Sequence, residues 1–383
     1  MTLHFTREEF AARKAAALRS MEEAGLDGLV MFRPDSLYWL TGYDSEGFVM
    51  FQCGYLGADG RLVLLIRSAD RVQARLTSVV ADVREWVDRE GANPGEDLRD
   101  LLDGMGCRGK RVGIEYHAYG LTAQRGKMVD AALDGFCDLD DASDLIRLLR
   151  LVKSPTELDY VRKAGIHCDA ARDVANRLCV PGESVGAVYG EMQKAILAGD
   201  GDPSASRWPM GAGDEAMFVR YHTGMGVIGE QDQVMLEFAG THRHYHAAMQ
   251  YVVVTGKVDP RHERMTAACT AALEACEGML RPGNTVVEVF DIHAKVMTEH
   301  GFGEAYLHAC GYTQGAMYPP TWMDWPMIYA GNPQILAPGM VFFMHMNLLD
   351  RETGLAMSAG ETAIVTEGAC EPVNHVSRTL VAN

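Results

Sequence analysis

The sequence predicts an α+β protein of two domains, an α/β domain over residues 1–150 and a second domain of helices and strands over 151–383. Three observations carry this. A chain of 383 residues is too long for one ordinary hydrophobic core. Short apolar runs alternate with helical patterns through the first 150 residues, which is the pattern of an α/β layer arrangement. At Ser154-Pro155, followed by Glu157, a helix-start signal opens a long amphipathic stretch and marks the junction.

In the first domain, Thr6 and Glu9 make a capping box ahead of a helix that runs to about Gly25, a suitable C-terminal stop. Strands are expected at 28–32, 47–52, 61–66 and 111–115, with helices near 94–103 and 121–133. In the second domain the helix from Ser154 continues to about Cys179, Pro181-Gly182 ends it, and another helix covers 184–197. Residues 199–213, rich in Gly, Asp, Pro and Ser, read as a loop. Strands are expected around Phe218, Glu237 and Val253, then helices over 260–280 and 285–300, the latter capped by Thr285 with Glu288. Residues 311–333 form a long irregular segment, and such segments inside folded domains are usually functional. The last strands are expected at 340–346 and 362–366.

Composition excludes several classes of function. With 48% hydrophobic and 23% charged residues the chain is ordinary globular material, and a formal net charge of -17 argues against general attraction to nucleic acid or an anionic membrane. Nine cysteines with no Cys-x-x-Cys pair fit reduced thiols better than a disulfide framework. Glu8 and Glu9 precede any apolar run, which argues against a signal peptide, and no uncharged stretch approaches a membrane span. A cytoplasmic location is therefore expected.

The chemistry centres on Val234 to Gln250, which reads as a strand, a turn at Gly240 and a returning strand that continues to Val254. Glu237 stands alone among apolar neighbours, and a carboxylate there is costly to ionise unless something pairs with it. On the returning strand His242, His244 and His246 alternate, so all three are expected on one face. Imidazoles beside a carboxylate suit acid/base work, and three on one face also suit a single zinc ion.

Glu237-Phe-Ala-Gly240 followed by Tyr245-His246 resembles the core hairpin of the creatinase/prolidase, or pita-bread, superfamily, and within it the metal-free ectoine hydrolases. Trp39-Leu-Thr-Gly-Tyr-Asp44, Val152-Lys-Ser-Pro-Thr-Glu157, Tyr318-Pro-Pro-Thr-Trp322 and Pro338-Gly-Met340 agree in their order along the whole chain. The resemblance implies a creatinase-type first domain and a pita-bread second domain. Metal-dependent members hold two ions with two Asp, one His and two Glu. Matched position by position, these fall on Glu237, Ala248, Tyr312, His345 and Gly360 beside Glu361, so no metal and no other cofactor is expected.

The implied activity is metal-independent hydrolysis of a C–N bond in a small cyclic amidine or related cationic or zwitterionic amino-acid derivative. Glu237 is the expected nucleophile or base, with His222 and Glu361 as further catalytic groups. Trp39, Tyr43, Tyr245, His246, Tyr312, Tyr318, Trp322 and His345 are the expected substrate-binding residues, the aromatic ones holding a delocalised cation by their faces. The resemblance further implies a homodimer in which Trp39 and Tyr43 reach the partner's site. Ala247-Ala-Met-Gln250 departs from the polar Ser-Arg of ectoine hydrolases, so the likeness supports the chemistry better than it supports ectoine. The alternatives are a prolidase-like Xaa-Pro metallopeptidase, a creatinase-like amidinohydrolase and a catalytically dead binding domain.

Overall fold

The computed structural model of the protein describes residues 3–383; Met1 and Thr2, with which the first expected domain begins, lie outside the described residues. The chain divides into two units, Met1–Arg150 and Leu151–Asn383. In the first, Thr6 Oγ1 accepts the Glu9 N–H at 3.1 Å and starts α1 (Arg7–Glu23). There follow β1 (Gly28–Met31), α2 (Pro34–Thr41), β2 (Cys53–Gly57), β3 (Leu62–Arg67), α3 (Arg71–Thr77) and β4 (Asp82–Trp86). The unit ends with α4 (Pro94–Gly104), β5 (Arg111–Ile114), α5 (Ala123–Leu133), β6 (Asp138–Asp141) and α6 (Leu145–Leu149). The strands form one mixed sheet in the order β4-β3-β2-β1-β5-β6.

Both faces of that sheet are apolar because both are covered. Val30, Val63 and Val112 pack with Leu98 of α4 and Val129 of α5, whereas Leu29, Leu56 and Leu64 pack with Ala17 and Met21 of α1. The expected strand at 47–52 is instead a short 3₁₀ turn, Gly47–Val49, and pairing begins at Cys53. Phe48 and Phe51 are buried without joining the ladder, so their apolar spacing imitates a strand. Helix α2 carries no side-chain cap; the buried Glu115 carboxylate holds its start by accepting the Phe32 and Arg33 N–H groups and the Ser36 hydroxyl.

The second unit opens with α7 (Pro155–Leu178) on the expected capping box. Ser154 N–H donates to Glu157 Oε2 at 2.9 Å, and Glu157 N–H donates to Ser154 Oγ at 3.3 Å. Then come α8 (Val185–Ala198), β7 (Met210–Ala212), β8 (Asp232–His242), β9 (Tyr245–Thr255), α9 (Pro260–Met279) and α10 (Val286–Glu299). The strands β10 (Ala309–Thr313), β11 (Asp324–Tyr329), β12 (Val341–Asp350) and β13 (Leu355–Ile364) complete a sheet in the order β11-β10-β12-β13-β9-β8-β7. Short β14 (Glu371–Pro372) and β15 (Val381–Ala382) add to β13 and β9.

Alternation decides what each face holds. Val234, Leu236 and Phe238 of β8 pack on Ala171 and Ala175 of α7 and Val188 and Met192 of α8. Phe342, Met344 and Met346 of β12 pack on Met265, Cys269 and Leu273 of α9 and Val289 of α10. Residues between them in the chain therefore point to the opposite face, among them Glu237 and His345. Register joins these two: Glu237 pairs with Gln250, Gln250 with Gly360, and Gly360 with His345, one row across β8, β9, β13 and β12.

Several expectations are corrected. The hairpin turns at Arg243 and His244, both at positive φ (51° and 66°), and not at Gly240, which lies inside β8. A Cβ on Gly240 would stand 2.1 Å from Ala164 O and 2.4 Å from Cys168 N, so the glycine is there because the α7 backbone passes against the strand. The region around Phe218 forms no strand; a 3₁₀ turn, Gly213–Met217, leads into an irregular stretch and Phe218 is 47% exposed. The segment 311–333 contains most of β10 and all of β11, which narrows its irregular parts to 314–323 and 330–333. The last strand pair is also longer than expected, β13 beginning at Leu355.

Because neither backbone atom above Gly240 can move aside cheaply, Gly240→Ala should destabilise the protein by about 3 kcal/mol or more. Urea unfolding would measure this, and an unchanged midpoint would remove the close approach of α7 as the reason for the glycine.

Candidate active site

Glu237 is the one carboxylate in the cross-sheet row, and it is only partly open to solvent. Burial pushes its acid dissociation from 4.5 up to about 7, opposed by the positive charge of Arg220 and by a hydrogen bond from Tyr312. Tyr312 lies on β10 opposite Phe343, on the same face, and its hydroxyl is 3.5 Å from Glu237 Oε1. Trp322 Nε1–H donates to that hydroxyl oxygen at 2.7 Å. An indole N–H can only donate, so the phenol proton is left to point at the carboxylate. Burial beside Glu237 drives the Tyr312 phenol well above its ordinary value, and it stays a donor.

His345 completes the row from β12. Its ring centroid lies 5.6 Å from that of Tyr312, and Asn347 Nδ2 is 3.1 Å from its Nδ1. Burial, with repulsion from His293, lowers it from 6.5 to about 4, so the imidazole is neutral at pH 7.

The five positions at which the resemblance places metal ligands all fall on this face. Their side chains do not fit a pair of ions. Ala248 offers no donor atom, and its N–H is already taken by Gln314 Oε1 at 3.1 Å and Thr362 Oγ1 at 2.9 Å. Gly360 offers no side-chain donor, and a Cβ there would be crowded by Gln250 Cβ at 3.0 Å and Phe343 Cε2 at 3.1 Å. What remains is one carboxylate, a phenol and a neutral imidazole, where a dinuclear oxygen-rich site needs several carboxylates. No group of three or more His, Cys, Asp or Glu side chains able to hold an ion occurs among the described residues.

The expected histidine triad is overturned. His242 ends β8 on the helix side, with ring centroids 5.4 Å from Tyr160 and 5.8 Å from His167 of α7. His244 is a turn residue stacked on Tyr318 at 4.1 Å. His246 alone shares the Glu237 face, but it is fully buried, its Nε2 accepting from Ala205 N–H at 3.0 Å and its Nδ1 facing Gly315 O at 3.5 Å. Burial holds it at about 3 and both nitrogens are engaged by main chain, so it pins two loops and is corrected from substrate binding to structure.

Glu361 is also corrected. It pairs with Met344 on the α9 face of the sheet, opposite to Glu237, and ion-pairs with Arg378 at 2.9 Å, which in turn holds Glu277 of α9. Tyr245 points to the α7 side and donates to Glu157 Oε1 at 2.6 Å. His222 sits edge-on to Phe218 with Nε2 3.5 Å from Glu215, and no hydrogen bond joins it to Glu237 among the described residues. Trp39 and Tyr43 lie in the core of the first unit, Trp39 beneath Arg13 at 5.2 Å and Tyr43 hydrogen-bonded to Gln52 at 3.2 Å. Tyr312, Trp322 and His345 are thus gathered round Glu237, and Tyr318 packs beneath the hairpin turn.

Arg220 was passed over in the sequence although its neighbour His222 was not. Its charge reaches Glu237, Tyr312 and His345, while its own hydrogen bond goes to Val219 O at 2.7 Å. The signal was available, since a carboxylate set into an apolar strand calls for a cation nearby.

A mixed first unit, followed by a sheet whose helices back one face and leave a polar row on the other, is the architecture of the creatinase/prolidase class. The pattern of metallopeptidase family M24 matches residues 159–367, and that of the creatinase/prolidase N-terminal domain matches residues 13–152. The chain belongs to family M24. It is 27% identical to an ectoine hydrolase of Halomonas elongata over 99% of this chain and 98% of that one. It is 26% identical to a probable dipeptidase PepE of Mycobacterium tuberculosis, over 98% and 97% respectively. Among solved structures, a dipeptidase PepE from Mycobacterium ulcerans superposes with a TM-score of 0.85 at 24% identity, covering 99% of both chains, which shows the fold.

Glu237 should titrate near 7. Its folded value lies above the unfolded 4.5, so its contribution to stability is full below about 4.5 and is lost as pH rises through about 7. Arg220→Gln removes an opposing charge and should move the midpoint upward. Carbon-13 NMR of labelled glutamate carboxyls would follow it, and a downward shift in the variant would contradict the assigned role of Arg220.

Proposed function

We propose that this protein is a metal-independent hydrolase that opens a C–N bond in a small cyclic amidine or related cationic amino-acid derivative, with Glu237 as the reacting carboxylate. The observation that carries the reading is the composition of the sheet face, where a single carboxylate with raised proton affinity stands among positions that lack the donors for two ions. Without a Lewis acid, the carbon to be attacked must be activated in another way. An amidinium brings its own positive charge, which an anionic Glu237 attracts.

The proton balance suits the same group. Hydrolysis of an amidinium adds one water: its oxygen becomes the amide carbonyl, the C–N bond to one nitrogen breaks, and both water protons end on that nitrogen as an ammonium. A group that takes a proton and returns it near pH 7 is what this needs, and Glu237 has that affinity. Glu237 either removes the proton from the attacking water or attacks the carbon itself and is released by water. Neutral His345 is in ring contact with Tyr312, the hydrogen-bond partner of Glu237, and is the imidazole assigned to proton exchange, whereas His222 faces Glu215. The similarity to an ectoine hydrolase agrees with the substrate class, and that to a probable dipeptidase makes peptide cleavage the reading to beat.

Incubation with ectoine, hydroxyectoine, creatine and an Xaa-Pro dipeptide, with and without manganese, cobalt or zinc, followed by mass spectrometry, tests this. A ring-opened or deguanidinated product is expected without added metal, and Glu237→Gln should reduce its formation by about a thousandfold or more. Dipeptide cleavage restored by metal, or an active Glu237→Gln protein, would overturn the reading.

A further inference from the structure

The face that carries Glu237 also carries polar atoms that no group among the described residues satisfies. Gln250 stands directly across the β8–β9 ladder from Glu237. Its Nε2 points at Met235 Sδ, 3.5 Å away, and because a thioether sulfur only accepts, this fixes the amide so that Oε1 is the unpartnered end. One rung further along the same face, Asn347 of β12 pairs with Ser358 of β13. Asn347 Nδ2 is engaged by His345 Nδ1, which leaves Asn347 Oδ1 without a partner, and Ser358 Oγ has none either. All three side chains are at least nine-tenths buried, at 2%, 4% and 4% exposure.

Buried polar groups in native proteins are nearly always hydrogen-bonded, so two unmatched amide oxygens and a hydroxyl that can accept as well as donate, on one face beside a carboxylate whose hydrogen bond is a long 3.5 Å, form an excess of acceptor capacity. The excess is continuous with the site: Glu237 touches Tyr312, Tyr312 contacts His345, and His345 contacts Asn347. We propose that Gln250, Asn347 and Ser358 extend Glu237 into an acceptor surface that selects ligands by their N–H donors, so that a planar cation bearing at least two N–H groups is held and an equally charged ligand without them is not. This rests on the amidine reading above and adds the residues that enforce it. An amidinium or guanidinium presents two N–H groups in one plane, one for the carboxylate and one for the Gln250 oxygen. A quaternary ammonium presents none and would leave every acceptor unmatched.

Calorimetric titration of the full-length protein with ectoine, which has two amidinium N–H groups, and with glycine betaine, a zwitterion of equal charge with none, tests the proposal. Ectoine should bind at least about tenfold more tightly than betaine. Gln250→Met and Asn347→Leu, each with an unchanged melting temperature, should weaken ectoine binding and raise KM about tenfold or more while kcat changes less. If ectoine binds and is turned over but neither variant alters KM, the acceptor surface is wrong and the proposed function stands. If wild-type protein binds neither ectoine nor creatine, the proposed function fails and the selection argument with it. A variant that melts early is replaced by Ser358→Ala, which removes an acceptor with little change in volume, and an unaltered preference for ectoine over betaine in that protein would also overturn the proposal.

Discussion

Desolvation of one carboxylate is the constraint from which the second unit's chemistry follows. Glu237 is on a strand whose other face is sealed by α7 and α8, so it cannot turn toward solvent on that side, and on its own side it meets Tyr312, Gln250 and the reach of Arg220. A buried charge without close partners is moved toward its neutral form, which is why this acid is held near 7 while the Glu361 carboxylate is gripped by Arg378 on the far face. Two glutamates in one sheet thus have different surroundings. The difference lies in which face alternation gives them and whether an arginine stands within hydrogen-bond distance.

The parts of the fold governed by local chemistry were legible in the sequence. Ser154 with Glu157 and Thr285 with Glu288 start helices where their side chains reach the backbone, because a cap acts within three residues. The misreadings all involve long-range packing. Gly240 looks like a turn residue in isolation, and only the α7 backbone beside it explains why a side chain is excluded. The three histidines share a face only if the turn is at Gly240; once it moves to Arg243 and His244, they fall on the helix side, in the turn and on the site face. Glu361 and Gly360 are neighbours in sequence, yet one-residue alternation sends Glu361 to α9 and leaves the site position without a side chain.

The same register shows which neutral contacts order the face at the positions where the resemblance places metal ligands. Where a second ligand would stand, Ala248 is fixed through its main chain by Gln314 and Thr362, whose hydroxyl also faces Ala248 O at 2.9 Å. Where another would stand, the Phe343 ring closes over Gly360. Neutral hydrogen bonds of this kind contribute about 1 kcal/mol each, so several of them and an aromatic ring hold strands together by many small terms. Tyr245 adds a link outside the site: its hydroxyl binds the same Glu157 that caps α7, and the hairpin bearing Glu237 is tied to the helix start.

On the proposed reading, such a face favours charge in its ligand over charge in a cofactor. An anionic carboxylate 4 Å from a cation in a partly screened protein site gains about 4 kcal/mol, roughly a thousandfold in binding, before any hydrogen bond is counted. A neutral amide brings no such term. Arg220 sets the limit on the effect, since its charge opposes that of an incoming cation while keeping Glu237 ionised enough to attract one. A ligand with a carboxylate of its own would turn that opposition into attraction at the other end of the molecule, so on the proposed reading the pairing of Glu237 with Arg220 favours a cationic amino-acid derivative over a simple amidine.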